Sequence, residues 1–149
     1  MRQNMSETLR LALQFAQANA RNLNQEFVGT EHVMLGLLDC EASESVDVLK
    51  AQSLDRRTLR SQLQSSLPRG EAPPVVVGEL PLSPKSQRII NNAIVQAGSL
   101  REPSVSTRMI LLALLDENGT VLREILQRAG ADPDELRRLL IEKPANAEA

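Results

Sequence analysis

Apolar side chains recur every third or fourth residue along most of this chain, the spacing that gathers them on one face of an α-helix. Leu9, Ala12, Leu13, Ala16, Ala20 and Leu23 form one such stripe, predicting a helix from about Ser6 to Leu23. Ile89, Ile90, Ala93, Ile94, Ala97 and Leu100 form a second. The small alanines on these stripes let a neighbouring helix approach closely. Two other stretches, Val33-Met34-Leu35-Gly36-Leu37-Leu38 and Met109 to Leu115, are apolar nearly all round. A short helix with no polar face belongs in the middle of a domain. Further amphipathic helices are predicted over about 44–52, 56–66, 121–129 and 133–142, with Gly130 as a helix stop.

These elements repeat. Sliding residues 6–63 onto 83–140, an offset of 77, aligns the halves without a gap and gives 15 identities in 58 positions. Leu35, Leu37, Leu38 and Asp39 recur as Leu112, Leu114, Leu115 and Asp116. Residues of helix N-cap type also coincide: Ser6 with Ser83, Thr30 with Thr107, Ser43 with Thr120, and Asp55 with Asp132. Pro84 and Pro133 stand at first helical positions, where the missing N–H costs nothing. The expected architecture is all-α, eight helices as two tandem four-helix repeats related by a pseudo-twofold. The whole of 1–149 reads as a single domain: repeat one over about 6–66, a linker over about 67–82, repeat two over about 83–142, and a frayed tail at 143–149. The linker holds four of the eight prolines. It is read as an extended tether along the surface, because Val75 to Val77 alone have no strand to pair with.

Composition narrows the chemistry. Seventeen basic and nineteen acidic side chains give a net charge of −2, which argues against non-specific nucleic-acid binding and a polybasic membrane mode. The longest apolar run, Met109 to Leu115, falls far short of the roughly 20 residues of a membrane span. Glu7, Arg10, Gln14 and Gln17 interrupt any apolar leader near the N-terminus, so no secretory signal is expected. A single cysteine, Cys40, suits a reducing, cytoplasmic setting. One histidine, no tryptophan and no tyrosine leave little room for an enzyme built on histidine clusters or metal cages. His32 and Cys40, eight residues apart on one helix, would stand about 12 Å apart, too far for a nucleophile and its base. No metal ligands occur at recognisable spacing, and no phosphate loop of the GxxxxGK(S/T) kind is present. Arg56-Arg57 and Arg137-Arg138 read as solvated faces. No catalytic residue and no cofactor are expected.

The run Val28-Gly29-Thr30-Glu31-His32-Val33-Met34-Leu35-Gly36-Leu37-Leu38, preceded by an alanine-rich, serine-capped helix, resembles the N-terminal domain of the Clp ATPase unfoldases of the ClpA, ClpB and ClpC type. The resemblance covers about residues 5–142. It implies a substrate- and adaptor-docking module. Its partners would be adaptor proteins and protein substrates, with a Clp ATPase ring in cis or trans and neither nucleic acid nor membrane. Phosphoarginine-tagged proteins are among the ligands implied by the ClpC branch. The chain reads either as an excised N-domain or as a stand-alone relative that titrates adaptors or substrates.

In that family the glutamate of the GTEH motif pairs with the guanidinium of phosphoarginine, while amides at the helix start face its phosphate. The resemblance therefore implies a ligand site at Thr30 and Glu31, and a helix N-terminus suits a phosphate. Alternatively, Thr30 is only an N-cap and Glu31 only a favourable first-turn acid. In the second half Arg108 replaces the glutamate and Ser106 the glycine, so phosphoarginine would bind once per chain. Thr107, Arg108 and the free amides of the sixth helix would form a small anion site; the alternative has Arg108 lying over the surface, paired with an acid such as Glu102.

Overall fold

The computed structural model describes residues 4–117 and 120–142. The eight helices are α1 (Glu7–Asn22), α2 (Thr30–Asp39), α3 (Glu44–Ala51), α4 (Arg56–Ser66), α5 (Pro84–Ser99), α6 (Thr107–Asp116), α7 (Leu122–Arg128) and α8 (Pro133–Glu142). The tail expected at 143–149 lies outside the described residues.

Helix starts follow the capping residues at five of eight positions. Ser6, Ser43, Asp55, Ser83 and Asp132 accept from first-turn amides at 3.0–3.2 Å. Thr30 and Thr107 do not cap: they are the first residues of α2 and α6, and Gly29 and Ser106 hold the cap positions. Their hydroxyls face other partners, Glu31 Oε1 for Thr30 and the Ser45 amide for Thr107. Thr120 is no cap either, since α7 begins after Val121. Helix ends repeat with the same offset. Asn24 and Arg101, and likewise Ser53 and Gly130, take left-handed φ values between 55° and 91°. The next amide in each case reaches back to the last turn, from Gln25, Glu102, Leu54 and Ala131, at 2.9–3.0 Å.

The halves are joined by an exchange. Met5 pairs in parallel with Val105, and Leu82 pairs in parallel with Val28. Ser6 N–H donates to Val105 O and Val105 N–H to Asn4 O; Ser83 N–H donates to Val28 O and Val28 N–H to Pro81 O, all at 2.9 Å. Adding 77 to one set yields the other set with the halves interchanged, the reciprocity of a twofold axis. The inter-helix contacts follow it: α2 meets α4 as α6 meets α8, and α1 meets α6 as α5 meets α2.

At the centre, α2 touches α6, and both contribute to one continuous apolar core with residues of all eight helices. Leu35, Leu37, Leu38, Leu112, Leu114 and Leu115 are at most 1% exposed. The predicted stripes of α1 and α5 are buried except at Leu13 and Ile94, which are half-buried, and Leu100, which is exposed. The helix ends are clamped from outside. Arg60 on α4 grips Asp39 at the end of α2 through Nε and Nη2, at 2.5 and 3.2 Å, and Asn19 bonds to both. The matching Arg137 on α8 grips Asp116 at 2.6 and 3.3 Å, so this arginine is a tie and not the solvated charge its sequence context implies.

α1 and α2 make the most extensive helix contact because Gly36 lets their backbones meet. A Cβ at Gly36 would stand 2.2 Å from Ala12 O and 2.9 Å from Ala16 N. The matching residues in the second half are Ile89 and Ala113, so side-chain volume is distributed differently across the two interfaces. Gly36→Ala should therefore cost about 1–3 kcal/mol, as overpacking does when backbone cannot yield. A urea midpoint unchanged from wild type would contradict this packing.

Candidate functional site

Two adjacent residues implied as ligands, Thr30 and Glu31, open α2. Thr30 is buried and its hydroxyl donates to Glu31 Oε1 at 3.0 Å. Glu31 is half-buried, with its carboxylate folded back over Gly29. An acid in a first turn is favoured by the helix dipole, which accounts for Glu31 without any ligand. The same half-exposed carboxylate also offers an acceptor to a cation from outside.

The second half does not reproduce this arrangement. Thr107 is fully buried, and its carbonyl accepts from Ser45 Oγ at 2.9 Å. Arg108 is 2% exposed, its guanidinium paired with Glu102 and donating to the Leu140 carbonyl. The expected anion site at Thr107 and Arg108 is thus corrected: the charge is spent inside the protein, tying the α5–α6 connection to α8. The pairing with Glu102 is real, but it lies in the interior and not over the surface. Removing one partner of such a pair strands a buried charge, at a cost of about 3–5 kcal/mol.

Sequence reasoning missed a concave feature beside the pseudo-twofold. Two adjoining clefts of about 680 and 510 Å³ share Met5, Leu13, Gln17 and Glu79; the larger runs along α1 and the linker, the smaller between α1 and α5. Each is within the size range of ligand sites. The apolar floor is doubly derived: Leu13 and Ile90 are equivalent positions, as are Met5 and Leu82, while Ile94 has the polar Gln17 as its counterpart. The linker forms one wall. Gln17 Nε2 donates to Leu80 O at 2.9 Å while its Oε1 accepts from Leu80 N–H at 2.8 Å, and Arg21 Nη2 donates to Val76 O and Gly78 O at 3.3 and 2.5 Å. The available signal was that both stripes carry one more apolar residue than a helix face needs, at Leu13 and Ile94. Among the described residues no three His, Cys, Asp or Glu side chains gather as metal ligands, and no helix is long and apolar enough to cross a membrane.

His32 serves the fold. It is buried at the third position of α2, and its Nδ1 accepts the Gly29 N–H at 2.8 Å, half of a capping box. The neutral ring therefore carries its proton on Nε2. Cys40 lies at the opposite end of α2, its thiol buried and donating to Thr8 O. Burial lowers the His32 pKa from 6.5, against a smaller upward pull from Glu31. The unfolded chain then takes up a proton before the folded one does. Stability is fully present above pH 6.5 and falls as the pH drops below it, until the folded histidine titrates. His32→Gln keeps an acceptor for Gly29 and removes the titration, so its urea midpoint should change less between the two sides of pH 6.5. Equal pH dependence in wild type and variant would contradict this role.

Comparison with known proteins places the chain. The sequence profile of the Clp repeat (R) N-terminal domain matches residues 4–116 and again 82–147. The chloroplastic chaperone protein ClpC1 of Arabidopsis thaliana is 30% identical over 129 residues, 87% of this chain and 14% of that protein. The ClpA-homologue ATP-binding subunit of the Clp protease from Brassica napus chloroplasts has the same identity and coverage. The chain thus spans about one seventh of the length of these relatives. Among solved structures, the N-terminal domain of Hsp104 from Candida albicans superposes with a TM-score of 0.78 at 16% identity, covering 93% of this chain and 90% of that one. The N-terminal domain of ClpD from Arabidopsis thaliana gives 0.74 at 17%, covering 93% and 92%. A ClpV N-domain in complex with a VipB peptide gives 0.73 at 19%, covering 98% and 91%. With the profile matching along nearly its whole length, the chain belongs to the Clp repeat N-terminal domain family.

Proposed function

We propose that this protein is a non-catalytic docking module that receives extended polypeptide, from substrates or adaptors, for a Clp-type ATP-driven unfoldase. The observation that carries this reading is the apolar floor between α1 and α5, built from equivalent positions of both repeats and open to solvent. A polypeptide is the occupant that suits it, since the protein's own linker forms one wall and is held there through its backbone groups. A structural neighbour that carries a peptide, the ClpV N-domain, supports the same reading. In cis the ATPase ring would follow in the same polypeptide; a separate regulator that titrates adaptors is the alternative for a chain acting alone. The buried Cys40 fits a reducing, cytoplasmic setting.

The test is amide chemical-shift mapping with an unstructured peptide of alternating leucine and serine. Shifts should concentrate at Met5, Leu13, Ile90 and Ile94. Ile94→Asp should weaken binding about tenfold or more, the effect of losing a central apolar anchor, while leaving the urea midpoint close to wild type because Ile94 is only half-buried. Shifts confined to other faces would overturn the assignment.

Phosphoarginine recognition at Thr30 and Glu31 is a separate part of the proposal. It is supported by the half-exposed Glu31 carboxylate beside the first-turn amides of α2. With Arg108 engaged by Glu102, calorimetric titration with free phosphoarginine should give one equivalent per chain, and none in Glu31→Ala. Two equivalents in wild type, or binding that survives in Glu31→Ala, would overturn it.

A further inference from the structure

Residues 75–80 are tied to the second half of α1 while burying little of themselves. The polar ties from α1 to this strap all end on its backbone: Gln17 on both the N–H and the carbonyl of Leu80, Arg21 on the carbonyls of Val76 and Gly78. Such ties read backbone groups and ignore side chains. Only Leu80 is buried, at 2% exposure, and Val76 is half-buried. Val75 and Val77 are 85% and 96% exposed, two large apolar side chains in water. Gly78 has φ of +88° with open space where a Cβ would stand, so the strap turns there without support from neighbours. Few buried contacts and many exposed ones mark a segment of low local stability. Gly78 and Glu79 also line the larger cleft, and Leu80 the smaller, so the strap's position sets the groove's width.

We infer that the inter-repeat strap is a built-in occupant of the α1 side of the groove, displaced by an incoming extended polypeptide that takes over the same Gln17 and Arg21 contacts. This rests on the reading of the groove as a polypeptide site and adds two things to it. It makes Gln17 and Arg21 backbone-recognising residues, so the site accepts many sequences. It also makes the linker a competitor tethered in place, which sets a threshold that weak ligands do not cross. On α5, Ile94 and Gly98 stand where α1 has Gln17 and Arg21, so the α5 side recognises apolar side chains and the α1 side recognises backbone.

The test uses the full chain and a fluorescein-labelled peptide copying residues 72–82, read by anisotropy. A strap docked nine-tenths of the time weakens an outside ligand about tenfold. Leu80→Ala, which loosens the strap, should therefore bind the peptide about tenfold more tightly than wild type. Val76→Ser removes strap packing with less risk to the core and should tighten binding in the same direction. Adding Gln17→Ala to either variant should abolish the gain. Hydrogen exchange at the Leu80 amide should accelerate in all of these variants and on peptide addition to wild type. The inference is overturned if Leu80→Ala and Val76→Ser bind no more tightly than wild type, or if the peptide binds without accelerating exchange at Leu80. The leucine–serine peptide separates the two readings: if it still shifts Leu13 and Ile94 while the strap variants gain nothing, the groove stands and the strap is merely a wall.

Discussion

α2 and α6 have no polar face, and that constraint organises the molecule. A helix apolar on all sides must be enclosed on all sides. The two meet at the pseudo-twofold and are covered by elements from both halves. The surrounding helices then need polarity only on their outer faces, which is why ordinary amphipathic stripes suffice for α1, α4, α5 and α8. The backbone exchange at Asn4–Ser6 and Pro81–Ser83 follows from the same requirement, because the segments entering α1 and α5 cross the axis to reach the opposite repeat. Arg60 and Arg137 close the construction by tying the ends of the two central helices to the outer layer.

Duplication preserved this frame and released the rest. Positions that hold the frame keep their chemistry at the offset of 77: the leucines of α2 and α6, the left-handed helix ends, the aspartate–arginine clamps. Positions at the surface diverge in kind. Gln17 and Arg21 bind the linker, whereas their counterparts Ile94 and Gly98 carry no polar side-chain group, and a half-exposed Glu31 has a buried Arg108 as its counterpart. One architecture thus presents two unlike faces across a shared groove.

The frame was legible because it rests on local signals. Apolar period, cap residues and the gapless repeat placed the five helices whose bounds were read to within two residues, and the greasy pair at Val33–Leu38 and Met109–Leu115 located the centre. What escaped depends on partners distant in sequence. Thr30 looks like a cap until Gly29 and His32 share that work. Arg108 looks like a surface charge because nothing nearby in sequence tells of the Leu140 carbonyl waiting 32 residues away. The groove needed knowledge of how α1 and α5 sit together, and the linker's path needed Gln17 and Arg21 to be recognised as backbone ligands. Glu31 was reached by family resemblance, and its geometry admits the role without demanding it.

The crossed entry segments have a topological consequence. Each repeat borrows two hydrogen-bond donors and two acceptors from the other, so neither half isolated at the linker would have its entry segment or the loop before its central helix paired. The bonds themselves do not specify that both halves come from one molecule; the linker does, by passing from Asn22 and Leu23 at the end of α1 back to Gln17 and on to Val28. A linker shortened below that span would leave every bridge and core contact attainable only by trading halves with a second copy, giving an interlocked dimer with two complete frames. The tether between the repeats is in this sense what lets one chain complete both of its own halves.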